Sequence, residues 1–285
     1  MSKPIRASVA RLFDAMAPAY HELEPWYEHL YAVLHDILRA ELARPPGGRR
    51  PAGGGRALDA GCGSGMQTAL LAELGWRPHG VDISAGLLAQ ARRRLPGVPL
   101  VLATLEALPY PDACFDVAVC CGSTLSFVDD PARALAELGR VLRPGGRLLL
   151  ECEHRPSLDL AWALAGALAG GALGYGVSAR EAWRALAGRG PARLAYPGYG
   201  SLALFRAGEL AAMLAAAGLV TARAWGLHAV TNVIPSTLLH RPRLPRPRAG
   251  LYRALCRLDR RLAGTAPARA LANSAVVLAV RQPTA

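Results

Sequence analysis

The chain has 285 residues, 52% of them hydrophobic, enough to bury one large core, which sets aside a disulfide-stapled miniature fold or a disordered body. A formal net charge of +12 points toward nucleic acid or an anionic membrane, yet Lys3 is the sole lysine and the arginines do not alternate with aromatics. Such charge reads as scattered by a codon bias toward arginine, alanine, glycine and proline, with a specific polyanion site as the competing reading. Six cysteines (Cys62, Cys114, Cys120, Cys121, Cys152, Cys256) show no CxxC spacing and no histidine at zinc-ligand spacing, so no metal is expected. The opening MSKPIRASVARLF is too polar for a signal-peptide core, and a cytoplasmic location is expected.

Residues 5–43 read as helical, with Leu30, Val33, Leu34, Ile37 and Leu38 at three- and four-residue spacing. A proline- and glycine-rich linker follows over 44–55. Strand and helix signals then alternate, the signature of a parallel sheet covered on both faces. RALDAG at 56–61 is a strand, 66–74 a helix, PHGVDI at 78–83 a second strand. A helix over 84–95 has Ser84 as its N-cap. Strands follow at 98–103 and 115–121, then a helix at 131–141 capped by Asp130 with Pro131 in its first position. LRPGG at 142–146 is a tight turn, and RLLLECE at 147–153 a fifth strand.

The alternation stops at an insertion over about 154–204. A helix at 207–217 ends on Gly218, and a strand runs near 220–227. A second insertion over about 231–272 carries the basic turn HRPRLPRPR and an amphipathic helix, YRALCRLDRRL. SAVVLAVR at 274–281 is the seventh strand. The expected fold is α/β: a doubly wound, mostly parallel, seven-stranded Rossmann-like sheet. An N-terminal helical cap (1–43), the linker and a core domain (56–285) make up the expected organisation, with both insertions near an acceptor site. The uncharged stretch 160–177 invites a membrane reading, but alanine and glycine dominate it, and a buried or substrate-covering helix is expected instead.

The sharpest motif is Asp59-Ala60-Gly61-Cys62-Gly63-Ser64-Gly65, on the turn from first strand to first helix. Glycines there allow a tight bend and close approach to a ligand. Dinucleotide folds favour GxGxxG; this loop reads GxGxG beside an acid, a poor neighbour for a diphosphate and a good one for an ammonium or sulfonium. About 20 residues on, Asp82 ends the second strand, where a carboxylate accepts from ribose hydroxyls. The pair describes a nucleoside with a cationic, phosphate-free tail.

On these residues the chain resembles the class I S-adenosylmethionine (SAM)-dependent methyltransferases, in the small-molecule branch called type 11. ALDAGCGSG, GVDIS, LPYPDACFDVAVCCGSTLSFVDD and LRPGGRLLL match its ordered motifs over about 56–153, and FDAMAPAYHELEPWY is similar to its lead-in helix. The resemblance implies that Asp59, Gly61, Cys62, Gly63 and Gly65 surround the methionine part of SAM and that Tyr20 closes over the cofactor. It implies that Asp82 holds the ribose, Ile83 packs on adenine, Thr104 and Leu105 meet its edge, and Cys121-Gly122 lies near the ammonium. Two departures stand out: Thr104 replaces a common acid, and His21 follows the tyrosine where aspartate is usual.

Methyl transfer from a sulfonium needs no acid for its leaving group, so alignment in a dry pocket dominates and a base is needed only for a protonated acceptor. His154 is the expected base with Glu153 beside it; Ser123, Thr124 and Glu151 lie at neighbouring strand ends. Trp26, Tyr27, His29 and Tyr196-Pro197-Gly198-Tyr199 are candidate acceptor walls, and Asn232 is either a contact or a buried turn residue. Cys120, Cys121 and Cys152 raise a thiol or arsenic acceptor, against which their apolar strands speak. The expected partner is a small-molecule acceptor. RNA methylation, peripheral membrane contact with a lipid or quinone acceptor, and SAM binding without turnover are the alternatives.

Overall fold

The computed structural model describes residues 5–20, 25–43, 54–170, 176–190, 192–196, 200–239 and 243–283. Most of the expected linker, His21, Pro197 to Tyr199 and Arg241 lie outside them. The N-terminal helical reading divides at its prolines: α1 (Ile5–Met16) passes into a 3-10 turn, Ala17–Ala19, and α2 (Pro25–Leu42) begins anew. Pro18 and Pro25 sit at the starts of the second and third pieces, where a missing N–H costs nothing.

The alternation builds β1 (Arg56–Ala60), α3 (Met66–Glu73), β2 (Arg77–Asp82), α4 (Ala85–Arg94), β3 (Leu100–Leu102), β4 (Phe115–Cys120), the short α5 (Thr124–Phe127), α6 (Pro131–Val141) and β5 (Leu142–Glu153). Ser84 Oγ accepts from the Leu87 amide and Asp130 from that of Arg133, as their cap positions predict. LRPGG differs from the expected plain turn. Leu142 already pairs with Phe115 before the chain bulges outward and Arg147 pairs with Val117, so β5 starts ahead of the turn.

After β5 come α7 (Leu158–Leu168), α8 (Ala179–Ala187), the hairpin β6 (Ala192–Tyr196) and β7 (Gly200–Leu204), α9 (Ala207–Ala216), β8 (Leu219–Leu227), α10 (Ser236–Leu239), α11 (Arg246–Leu262), α12 (Ala266–Leu271) and β9 (Ser274–Arg281). The main sheet runs β3-β2-β1-β4-β5-β9-β8, with β9 antiparallel to both neighbours and the other pairs parallel. Its order reverses between β1 and β4. The doubly wound, seven-stranded expectation holds. No helix among the described residues is long and apolar enough to cross a membrane.

Two apolar clusters cover the sheet. On one face Leu135, Leu138, Leu210 and Leu214 of α6 and α9 pack on strand residues such as Leu148 and Leu150. On the other, Leu30, Leu34, Leu38 and Leu42 of α2 join Leu70 and Leu71 of α3 against Val117, Val119 and Leu149. The rear of the N-terminal segment is thus a structural layer of the core. The Trp76 indole N–H donates to the Leu42 carbonyl at 2.9 Å and closes that layer.

A buried polar clamp ties α2 to the second insertion. Asp259, on α11, accepts from His29 Nε2 at 3.0 Å and from the amides of His228 and Val230, each at 2.8 Å. Trp26 stacks on His228 with ring centroids 3.5 Å apart. Ligand atoms of His29, His228 and Asp259 lie within 4.8 Å of one another, and three N–H donors already bind the Asp259 carboxyl, two on Oδ2 and one on Oδ1, the chemistry of a clamp. Burial pushes the Asp259 carboxyl up, and the bonds from His29 and the two amides more than offset this, leaving it below its ordinary range. Asp259→Ala orphans the buried His228 amide, the half-buried Val230 amide and a buried histidine, and is expected to cost about 2–5 kcal/mol in urea unfolding; a loss under about 1 kcal/mol would contradict the clamp.

Candidate functional site

At the reversal between β1 and β4 the strand ends diverge and leave a crevice, where open α/β sheets bind ligands. The glycine loop enters it from β1. Gly61 has φ +83°, and a Cβ there would lie 2.4 Å from the Thr124 side chain, so only glycine lets this loop and the start of α5 meet. The amides of Gly61 and Cys62 donate to the Val81 carbonyl at 2.8 and 2.9 Å, that of Gly65 to the Cys62 carbonyl at 2.8 Å, and that of Gly63 to Asp82 Oδ2 at 2.8 Å. These four amides are spent within the protein, three on β2 and one inside the loop, instead of pointing outward for a phosphate. The motif therefore makes a neutral backbone ledge beside a carboxylate.

The cleft beside this loop, partly open to solvent, spans about 840 Å³. Of the expected cofactor residues, Tyr20, Gly61, Cys62, Gly63, Asp82, Ile83, Thr104, Leu105, Cys121 and Gly122 line it. Asp82 is buried; Oδ1 accepts from the Ser84 amide at 2.8 Å and Oδ2 from Gly63, which leaves each oxygen a lone pair for a sugar hydroxyl. Burial raises its carboxyl, opposed by those two amides. Ile83, Leu87 and Leu105 give the adjoining wall an apolar surface suited to a flat heterocycle.

Asp59 and Gly65 lie elsewhere. Asp59 is 1% exposed and accepts from Thr68 Oγ1 at 2.5 Å, joining β1 to α3; burial pushes it up to about 7. Gly65 is the left-handed N-cap of α3, and a Cβ there would stand 2.9 Å from Leu95, so its demand for glycine is one of packing against α4. Neither lines the cleft.

Residues not singled out as binding positions complete the enclosure. Phe13 of α1 meets Phe127 of α5 edge-on at 5.1 Å, and Tyr31 brings its hydroxyl near Gly122. Asp14 holds α1 over the cleft by accepting from Ser84 Oγ at 2.7 Å and the Gly86 amide at 2.9 Å, at the N-terminal end of α4 where an anion is favoured. These two bonds, Ser84's first, hold Asp14 below its usual range. Two residues after Thr104, buried Glu106 receives the Thr104 hydroxyl and the Asp129 amide and shares the cleft wall. Quoted already within their motifs, Phe13 and Phe127 had an apolar character that signalled burial but not which cavity they would face.

The expected base pair is displaced from the cleft. His154 is 3% exposed, its Nδ1–H donates to the Ala272 carbonyl at 3.1 Å, and burial lowers its pKa. Glu153 sits with it on a separate, largely apolar cavity of about 280 Å³, walled by Leu160, Leu194, Tyr196 and Leu202. Ser123, at φ +57°, follows Gly122, and its hydroxyl lies 2.9 Å from Glu153 Oε1 and 3.3 Å from Glu151 Oε1 while its amide donates to Glu151 Oε2 at 2.6 Å. The carboxyls of buried Glu151 and half-buried Glu153 thus hold the backbone turn beside Gly122, which makes Glu153 a positioning group and His154 a capped strand end.

Trp26 and His29 belong to the Asp259 clamp, while Tyr27 stacks loosely on Tyr31 with centroids 6.4 Å apart. The Asn232 carbonyl accepts from the Trp162 indole at 2.9 Å, inside a buried turn. Cys120, Cys121 and Cys152 are buried, and burial, then Glu151, pushes each thiol far above its ordinary range, so they pack and do not attack.

Burial and then the charge of Glu151 push Glu153 up to about 8. The folded chain therefore keeps a proton that the unfolded chain, with an ordinary carboxyl near about 4.3, gives up. This group's contribution to stability is complete below that lower value and falls as pH rises toward about 8. Glu153→Gln is expected to narrow the difference in unfolding free energy between pH 5 and pH 9; an unchanged difference would place the proton elsewhere.

Comparison with known proteins agrees with the geometry. The model of the methyltransferase domain family, type 11, matches residues 58–150. A 2-phytyl-1,4-naphtoquinone methyltransferase of Trichormus variabilis is 36% identical over 166 residues, 55% of this chain and 68% of that protein. A malonyl-[acyl-carrier protein] O-methyltransferase of Serratia marcescens is 36% identical over 51% of this chain and 55% of its own length, so the chain spans little more than half of such a relative. Among solved structures, a Burkholderia thailandensis 1,6-didemethyltoxoflavin-N1-methyltransferase superposes with a TM-score of 0.55 at 20% identity, over 99% of this chain and 92% of that one, and shares its fold. The chain belongs to the class I SAM-dependent methyltransferases, whose methyl donor is S-adenosylmethionine.

Proposed function

We propose that this protein transfers a methyl group from SAM to a small, largely apolar acceptor. The observation that carries the reading is the cleft beside Asp82: a carboxylate with lone pairs left for two hydroxyls, an apolar slot, and a loop whose Gly61, Cys62, Gly63 and Gly65 amides are bonded within the protein. The residues present fit the cofactor. Asp82 holds the ribose, Ile83 and Leu105 pack on adenine, and Gly61, Gly63, Cys121 and Gly122 form the ledge under the methionine part. When bound, SAM supplies an electrophilic methyl on a sulfonium with a neutral thioether as leaving group.

The chain's own contribution is alignment and dryness. Phe13 and Tyr20 close the cleft from the N-terminal side, and Phe127 presents an apolar wall to the acceptor end, so water is excluded where nucleophile and methyl meet. The carboxyls of Glu151 and Glu153 keep Ser123 in its turn and thereby fix Gly122. No base among the expected pair reaches the cleft, which suits an acceptor that arrives already nucleophilic or ionises by its own chemistry. The quinone-directed names of several relatives support an apolar ring as acceptor. The backbone turn Cys121-Gly122-Ser123-Thr124 stands where an NPPY-like tetrapeptide would serve a nucleobase, which disfavours RNA.

Calorimetry is expected to detect SAM and its demethylated product, with Asp82→Ala weakening both by about 30-fold or more, since each lost hydrogen bond to a charged group is worth about 1.5–3 kcal/mol. Labelled-methyl transfer onto fractionated small-molecule, lipid and RNA extracts is expected to mark the first or second fraction and to vanish in Asp82→Ala. Binding of a pyridine dinucleotide in place of SAM, or methylation of RNA alone, would overturn the reading.

A further inference from the structure

The helix α11 carries a surface that methyl transfer does not use. Its sequence, RPRAGLYRALCRLDRRL, holds six arginines and one acid. All six arginines are exposed, whereas Asp259 is buried in its clamp. Arg260 pairs with Asp36, but Arg253, Arg257 and Arg261, one helical turn apart in a row, enter no ion pair among the described residues. Beside that row runs another of opposite character. Leu251 is 55% exposed and Leu258 45%, with exposed Ala254 between them at helical spacing.

Each row has its own meaning. Leucines left in water on a helix whose other side is anchored by Tyr252 and Asp259 lose free energy unless an apolar medium receives them. A duplex or another purely ionic partner would pair the arginines and leave the leucines wet. Guanidinium groups stay charged at any working pH and reach outward on apolar stems, so they lie at headgroup depth while shorter leucines pass beneath. An apolar stripe flanked by arginine on a helix of about 25 Å is the form that lies in the plane of a bilayer without spanning it.

Position agrees with chemistry. α11 packs near the 3-10 turn Thr231–Val233 that follows β8, and Val233 there is 51% exposed. Since β8 and β5 are both antiparallel to β9, β8 runs parallel to β5, and its carboxyl end lies on the same edge of the sheet as the cleft. We propose that α11 docks this protein on an anionic lipid surface, with Leu251 and Leu258 inserted and Arg253, Arg257 and Arg261 at the headgroups. Such docking would set the acceptor edge next to the bilayer, where an apolar acceptor concentrates.

The test is sedimentation of the full chain with vesicles of phosphatidylcholine alone or with one-third phosphatidylglycerol. The wild type is expected to pellet with the anionic vesicles at 100 mM salt, to bind at least 10-fold more weakly at 500 mM, and to stay in solution with the neutral ones. Leu251→Ser with Leu258→Ser, and separately Arg253→Gln with Arg257→Gln and Arg261→Gln, are each expected to weaken the partition 10-fold or more with unchanged melting temperature. Leu102→Ser, on an exposed leucine of β3 at the far edge, serves as control and is expected to bind as the wild type does. Equal binding to both vesicles, no binding to either, or retention in the helix variants overturns the proposal. So does capture of a duplex oligonucleotide that the arginine variants abolish while vesicles are ignored, or a dimer in ultracentrifugation that the leucine variants dissolve. SAM calorimetry on the same variants keeps this outcome separate from the methyl-transfer reading, which an intact heat of binding leaves standing.

Discussion

One buried carboxylate organises the cleft. Asp82 receives the amide of Gly63 from the loop after β1 and that of Ser84 from the start of α4, so two separate connections are fastened to the end of β2 through its two oxygens. Taking that carboxyl out of water is costly, and burial shows its effect by raising the pKa. Two backbone donors at 2.8 Å offset the cost while leaving acceptor capacity directed at the cleft. Ser84 then reaches Asp14 through its hydroxyl, which draws α1 across the opening. Ligand recognition, loop geometry and closure of the cleft therefore rest on the same few bonds.

Much of this is legible in the sequence itself. Alternating strands and helices, the caps Ser84 and Asp130 and the glycine loop all depend on chemistry local to a few residues, and the structure repeats them. What failed was local also in appearance but tertiary in cause. Gly65 looks like a loop glycine and is one, yet the neighbour that requires it is Leu95, thirty residues away in sequence. Asp59 carries the charge expected of a ligand contact, but whether it faces the cleft or α3 depends on which side of β1 is covered, and Thr68 settles that.

The strand end at Glu151-Cys152-Glu153-His154 shows the same limit more sharply. Period-2 alternation puts Glu151 and Glu153 on one face and turns His154 to the other, a fact available from the sequence. Its consequence was not, because it requires knowing that the second insertion brings the Ala272 carbonyl to the histidine and that Ser123 meets both acids. A histidine next to an acid at a strand end is an inviting catalytic pair. Here the two side chains serve different neighbours.

The two additions to the parallel core divide the remaining work. The first supplies Tyr196 and Leu202, which pack with Phe127 and Val9 and so bring the hairpin to the outer wall of the cleft. The second carries Asp259, whose bonds to His29 and to the amides of His228 and Val230 fix α11 against α2. A helix held from behind by a carboxylate with three N–H donors cannot turn its exposed leucines inward to hide them. The clamp that stabilises the fold is therefore also what commits the arginine and leucine rows of α11 to the outside. The proposed apolar acceptor and the proposed docking stripe answer one problem, since each removes greasy surface from water.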